Sequence, residues 1–175
     1  MTVLPEPETM RNEKSSHQPA DLSSVSVAPL KLENFLPYRL SLLATEISQA
    51  LAQAYGERFG ISIPEWRVLA TLGQFGTITA RDICAHSHMH KTTVSRAVAT
   101  LEKRKLVARK ANRNDLREAF LDLTEEGRTI YLDIVPMATA FSDALCQGLG
   151  SDEKRHLDGL IDKLMSQLGQ IARRT

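Results

Sequence analysis

The chain has 175 residues, of which 42% are hydrophobic and 25% charged, with a formal net charge of +1; this is the composition of an ordinary globular domain. No stretch approaches the roughly 18–20 uninterrupted apolar residues of a membrane helix, and the N-terminus lacks the basic-then-apolar order of a secretory signal, so a cytoplasmic location is expected. Cys84 and Cys146 form no CxxC pair and read as reduced, part-buried side chains, a redox switch being the other reading.

In chain order, residues 1–30 are rich in Pro, Ser and Glu without apolar periodicity and read as a disordered tail. From Leu36 to Phe59 the apolar residues Leu36, Leu40, Leu43, Ile47, Leu51 and Tyr55 recur every three or four positions, which predicts a long amphipathic helix. Gly60 ends it. Pro64 suits the first turn of the next helix, with Ile63 held extended before it; Trp66, Val68, Leu69 and Leu72 then mark a short helix closed in the 73–76 region. Thr79 is a good N-cap for a helix that turns Ile83 and Cys84 inward, and Ala85–Met89 reads as a turn. A further helix is expected from His90 to Arg104, burying Val94, Ala97, Val98 and Leu101 at i, i+3, i+4 and i+7.

After Leu106 the period changes to two. Val107–Ala111 and Ala119–Leu123 read as strands, joined by a turn at Asn112–Leu116. Thr124 caps a helix that starts with Glu125 and Glu126, runs to about Leu149 and bends at Pro136. Ser151 caps the last helix, whose stripe is Leu157, Leu160, Ile161, Leu164, Leu168 and Ile171.

The small net charge conceals an uneven distribution. Residues 79–118 hold ten basic and four acidic side chains, an excess of six, which leaves the rest of the chain at −5. A basic middle between acidic arms is expected where one segment faces a polyanion; a solvated charged surface is the bland alternative. The basic segment coincides with helix, turn, helix and hairpin, the order of a winged helix-turn-helix. Its second helix would offer Thr92, Thr93, Ser95 and Arg96 to base edges in a major groove, and Lys91 and Lys103 to phosphates. Arg113 and Arg117 at the wing tip would reach the adjacent minor groove, where negative potential favours arginine.

The residues Glu65-Trp66-Arg67-Val68-Leu69, Lys91-Thr92-Thr93-Val94-Ser95-Arg96, Leu101-Glu102-Lys103-Arg104, Asp115-Leu116-Arg117 and Leu123-Thr124-Glu125-Glu126-Gly127 follow one another in an order and spacing that resembles the MarR (multiple antibiotic resistance regulator) family. With the flanking helices the resemblance covers about 140 residues. It implies a mainly α fold with a two- or three-stranded β wing. Residues 61–124 would be the winged helix-turn-helix, and 31–60 with 125–175 would intertwine with a second copy as a dimerisation region. It further implies that Asp115 braces the wing through a charge pair while Arg117 enters the minor groove. The family often has glycine where Lys105 stands, and a left-handed backbone there would cost this lysine about 1 kcal/mol.

The resemblance also implies an effector pocket between the dimerising and DNA-binding parts. Phe35, Tyr38, Arg39, Trp66 and Arg67 are the candidates, because an arginine beside aromatic rings suits an aromatic carboxylate or its thioester. Two readings stand for Arg39, an effector contact or a salt bridge to the dimer partner, and two for Trp66, an effector wall or core packing. Family members that sense oxidants carry a reactive cysteine near the first long helix, where this chain has none. His86, His88 and His90 alternate, but i and i+2 side chains do not share a helix face, and turn or capping roles are expected in place of a metal. No phosphate-binding glycine loop or nucleophile elbow is present, and neither an enzyme nor a cofactor is expected. The expected function is a homodimeric regulator on a pseudo-palindromic operator in double-stranded DNA, a repressor released by a small aromatic acid. A ligand-independent or activating regulator, and a winged helix used for protein contacts, are the alternatives.

Overall fold

The computed structural model describes residues 29–111 and 118–174; most of the expected tail, and the expected wing turn at Asn112–Leu116, lie outside them. Residues up to Arg39 form one unit and those from Leu40 onward a second. In the first, a 3-10 turn at Leu32–Asn34 is closed by Phe35 N–H donating to the Leu32 carbonyl at 3.1 Å. Helix α1 then runs over Leu36–Phe59, the expected range, and stops at Gly60, whose φ of +60° is a conformation glycine adopts without strain.

Helix α2, Ile63–Phe75, begins one residue earlier than its proline suggests. Ser62 is the extended residue (φ −81°, ψ 164°) and Ile63 is already helical. The cause is a reciprocal cap: the Ser62 N–H and hydroxyl both donate to Glu65 Oε2 at 2.7 Å, which fixes the helix start at Ser62. Gly73 lies inside α2 and Gly76 (φ +73°) ends it. A Cβ at position 73 would stand 2.4 Å from Tyr131 Cζ, so the glycine admits that ring.

Strand β1 is only Ile78–Thr79, and Thr79 then caps helix α3, Ala80–Ser87, accepting from Asp82 N–H at 3.2 Å. The helix reaches Ser87, so the turn is confined to His88–His90 and does not open at Ala85. Left-handed His88 (φ 53°) closes α3, and the Ser87 hydroxyl donates to the Ile83 carbonyl at 2.6 Å. Helix α4, Lys91–Lys103, buries the four expected residues, Val94, Ala97, Val98 and Leu101.

The end of α4 sets the course of the hairpin and of the next helix. Leu106 N–H donates to the Leu101 carbonyl and Lys105 N–H to that of Glu102, both at 2.9 Å. With Lys105 at φ +60° this is a Schellman cap, and the buried pair Leu101 and Leu106 supplies its usual apolar contact. Strands β2, Val107–Ala111, and β3, Ala119–Leu123, occupy the expected ranges. They pair antiparallel with Val107 opposite Leu123, and β1 adds on the other side of β3, so the order is β1-β3-β2. Helix α5, Glu125–Leu145, starts from Thr124, whose hydroxyl accepts from Gly127 N–H at 3.0 Å and donates to the Lys105 carbonyl at 2.7 Å. Thr124 N–H donates to Leu106 O at 3.1 Å, and a Cβ on Gly127 would stand 1.9 Å from that same oxygen.

Helix α5 contains Pro136 and ends at Leu145, short of Leu149; Gly148 and Gly150 lie in the link beyond, and glycine propagates helix poorly. Helix α6, Ser151–Ile171, is capped by Gly150 and not by Ser151, because Glu153 Oε2 reaches back to accept the Gly150 N–H at 2.8 Å. The core lies among α2, α3, α4, β2, β3 and the start of α5, with Tyr55 and Ile61 closing it. Trp66 packs against it, 5.6 Å from the Tyr55 ring and 6.1 Å from Tyr131. Burial pushes the Tyr55 hydroxyl up to about 12, the nearby Arg67 charge opposing this more weakly. By contrast α6 has no buried residue, and its apolar stripe is between 39% (Leu164) and 60% (Leu168) exposed.

Two substitutions test the junction after α4. Gly127→Ala must displace the Leu106 carbonyl and is expected to cost at least about 3 kcal/mol, as an overpacked backbone contact does. Lys105→Gly relieves the left-handed lysine and is expected to stabilise by about 1 kcal/mol. Thermal unfolding of the two variants beside the parent checks both signs.

Candidate nucleic-acid interface

Helix α4 is the centre of the site. Its inner face is buried by Val94, Ala97, Val98 and Leu101, which leaves Lys91, Thr92, Ser95, Arg96 and Lys103 exposed and Thr93 half-buried. The first turn is fixed by His90, an extended N-cap (φ −65°, ψ 145°) whose Nδ1 accepts from Thr92 N–H at 3.4 Å and lies 2.9 Å from the Thr92 hydroxyl. Histidine therefore does here what serine or aspartate does at most helix starts. The other two of the alternating histidines have separate places. His88 is the left-handed end of α3, and His86 stacks on Phe75 with ring centroids 3.9 Å apart. Among the described residues no three His, Cys, Asp or Glu side chains come together as a metal site.

The basic charge of the segment is only partly available to a ligand. Arg81 pairs with Glu118 at 2.6 Å, and Arg109 meets both oxygens of Glu102 at 2.7 and 3.1 Å. Lys110 meets Asp122 at 2.6 Å, and the Thr77 hydroxyl donates to the same carboxylate at 2.8 Å. Arg104 donates to the backbone carbonyls of Phe59 and Gly60, each at 2.7 Å. Lys91, Arg96, Lys103 and Lys105 remain exposed with no ion pair among the described residues. Three of these four lie on α4 and the fourth stands just beyond its end. Among the described residues the unpaired positive charge of the segment is thus concentrated on α4 and just beyond its end, while Arg109 and Lys110 fix β2 to α4 and β3.

The reciprocal cap of Thr79 and the ion pair on β3 leave a signature in their carboxylates. Asp82 titrates below the usual carboxylate range because the Thr79 N–H and then its hydroxyl donate to it. Asp122 is lowered first by its hydrogen bond from Lys110 and also by Thr77. Sequence reasoning found Thr79 as a cap but not its partner Asp82, although the Thr-x-x-Asp spacing resembles a capping box. It likewise missed Ser62 with Glu65, and the two-residue strand β1, which is too short to carry a period.

Of the other site candidates, Arg113, Asp115 and Arg117 lie outside the described residues. Phe35 and Tyr38 are 40% and 44% exposed, and Arg39 is exposed, all in the N-terminal unit. On α2, Trp66 is half-buried between two tyrosines, and exposed Arg67 donates to the Ser48 hydroxyl at 3.3 Å. Arg67 also lines an open groove of about 310 Å³ with Ser41, Thr45, Ser48, Gln49 and Ile63.

A helix-turn-helix whose second helix is apolar behind and basic in front, leading into a three-stranded sheet, defines a winged helix DNA-binding protein. A family model described as "MarR family" matches residues 59–118. The chain is 29% identical over 122 residues to the transcriptional regulator FarR of Neisseria gonorrhoeae, covering 70% of this chain and 80% of that one. A crystal structure of a MarR/EmrR family regulator from Acinetobacter sp. ADP1 is 26% identical, with a TM-score of 0.73 over 81% of this chain and 99% of that one. A MarR family regulator of Listeria monocytogenes, solved with a 26mer DNA, shares the fold at 20% identity, with a TM-score of 0.70 over 81% of this chain and 91% of that one. Over residues 59–118 the chain matches the MarR family model, and over most of its length it is similar to DNA-binding transcriptional regulators of that family.

Because Asp82 and Asp122 are held below the range of about 4 that carboxylates show when unfolded, their stabilisation is complete above that pH. It is lost as pH falls through their folded-state values. Asp122→Asn is therefore expected to make the unfolding temperature less sensitive to acid between about pH 5 and pH 2; an unchanged acid limb would mean the Lys110 pair contributes nothing.

Proposed function

We propose that the protein acts as a homodimer on an inverted-repeat operator and represses transcription by covering a promoter. The observation that carries this is the division of α4 into a fully buried apolar face and an exposed face of Lys91, Thr92, Ser95, Arg96 and Lys103. A winged helix used for protein contacts would expose apolar side chains there. Thr92, Thr93, Ser95 and Arg96 have the lengths and donors to reach base edges, and Lys91 and Lys103 suit phosphates. Arg113 and Arg117, which stand in the sequence between β2 and β3, are assigned to the wing's minor-groove contact, and Asp115, by the family resemblance, to bracing the wing through a charge pair.

The dimer reading rests on exposed apolar surface. Seven large apolar side chains of α6 are exposed, as are Leu40, Leu42 and Leu43 on α1, more than a lone chain keeps in water. Two-fold symmetry then sets the recognition helices one DNA turn apart, roughly 34 Å. An anionic effector is supported by the groove at Arg67: its volume suits a small aromatic acid, and the guanidinium would pair with the carboxylate.

A selection against fragmented genomic DNA at near-physiological salt tests the reading, and recovery of one short inverted repeat is the expected result. On that repeat, Arg96→Ala should lose about tenfold or more and relax the base preference at one position of each half-site. Lys103→Ala should weaken all sequences alike and reduce the salt slope by about 0.9 for each phosphate it no longer neutralises. Fragments that share no sequence and dissociate with modest salt would reduce the interaction to phosphate attraction. For the effector, release of the repeat by hydroxylated benzoates in the parent but not in Arg67→Ala is expected.

A further inference from the structure

The Arg104 guanidinium ties the recognition helix to the end of α1. Arg104 is the C-cap residue of α4 (φ −85°, ψ 1°), and its two terminal nitrogens donate to Gly60 O and Phe59 O, both at 2.7 Å. Phe59 ends α1 and Gly60 turns the chain away with φ +60°. The carbonyls of a last helical turn have no intrahelical donor and carry the negative end of the helix dipole. A fork of charged N–H groups across two consecutive carbonyls is a strong and directional use of an arginine. Among the described residues no other hydrogen bond or ion pair joins α1 to α4.

The two ends of α4 thus have different anchors. Its N-terminal half carries Lys91, Thr92, Ser95 and Arg96, while its C-terminal cap is fastened to the end of α1. Thirteen residues make a helix of roughly 20 Å at 1.5 Å per residue. A rotation of about 10° at the fastened end moves the other end by about 3.4 Å, one base-pair step of the DNA axis. The rigidity of this link has the right lever arm to decide which half-site spacing a dimer accepts.

We propose that Arg104 is a positioning residue that sets half-site spacing, holding the recognition helix at a fixed attitude to the helix that the dimer reading places at the subunit interface. The proposal rests on that reading. It predicts that Arg104 acts on spacing and not on base choice, since its side chain is committed to carbonyls at the end of α4 away from the reading residues.

The test is a binding selection of the full chain on a library in which one half-site, taken from the genomic selection, is repeated as an inverted pair with spacers varied by single base pairs. Arg104→Gln keeps a donor but removes the charge and one arm of the fork; Arg104→Lys keeps the charge without the fork. The parent should show a single spacing optimum, falling about tenfold for one base pair added or removed. Both variants should lose less than about threefold at those spacings, with the half-site sequence unchanged. Thermal unfolding of each variant before selection identifies the folded one that carries the comparison. A variant that stays folded and keeps the parent's sharp optimum overturns the proposal. A parent that binds single half-sites as well as pairs overturns the dimer reading instead, and the proposal with it.

Discussion

The backbone at Lys105 and Leu106 is the constraint on which the rest of the structure depends. Four elements meet within a few ångströms of the Leu106 carbonyl. Helix α4 ends there through the Schellman cap, β2 departs, β3 returns to Thr124, and α5 starts with its third residue pressed on the carbonyl oxygen. Each contact presupposes the others. Thr124 caps α5 with one side of its hydroxyl and holds the Lys105 carbonyl with the other, and only glycine at position 127 lets the two segments approach. The attitude of the recognition helix relative to the wing is therefore set by backbone hydrogen bonds, with side-chain packing filling in around them.

Much of this is legible in the sequence because the determinants are periodic. The stripe Val94, Ala97, Val98 and Leu101 gives the buried face of α4, whose expected ends His90 and Arg104 are its caps, and the alternation of Ala119, Leu121 and Leu123 places β3, since burial of one face leaves no freedom in period or register. Helix ends are less legible where the capping residue is unusual. Histidine at position 90, glycine at 150 and lysine in the left-handed position at 105 all do jobs more commonly given to other residue types. Pro64 on its own predicts an extended Ile63, yet the Ser62 to Glu65 cap outweighs that preference.

Pairing of charges is the part of the site that composition could not disclose. A surplus of six positive charges describes the segment as a whole, but Arg81, Arg109 and Lys110 meet carboxylates that lie between 7 and 37 positions away in the chain. Those partners come together only when the hairpin folds back on α3 and α4. The cations are thereby divided in two: Arg81, Arg109 and Lys110 tie the hairpin to α3, to α4 and across itself, while Lys91, Arg96 and Lys103 on α4 have no ion pair among the described residues. The same non-local logic hides Arg104, whose partners are backbone atoms more than forty residues earlier and carry no side-chain signature at all.

The chain's one tryptophan sits between Tyr55 of α1 and Tyr131 of α5, near enough to both rings to drain their excited states. Light absorbed by either tyrosine would emerge at the indole's wavelength, because the three rings, carried by three different helices, lie within about 6 Å of one another along the series Tyr55, Trp66, Tyr131. A rearrangement that carried either tyrosine well away from the indole would restore that tyrosine's own emission. The fold has thus placed an intrinsic fluorophore where α1, α2 and α5 meet, and the protein can report a large rearrangement of these helices without a label.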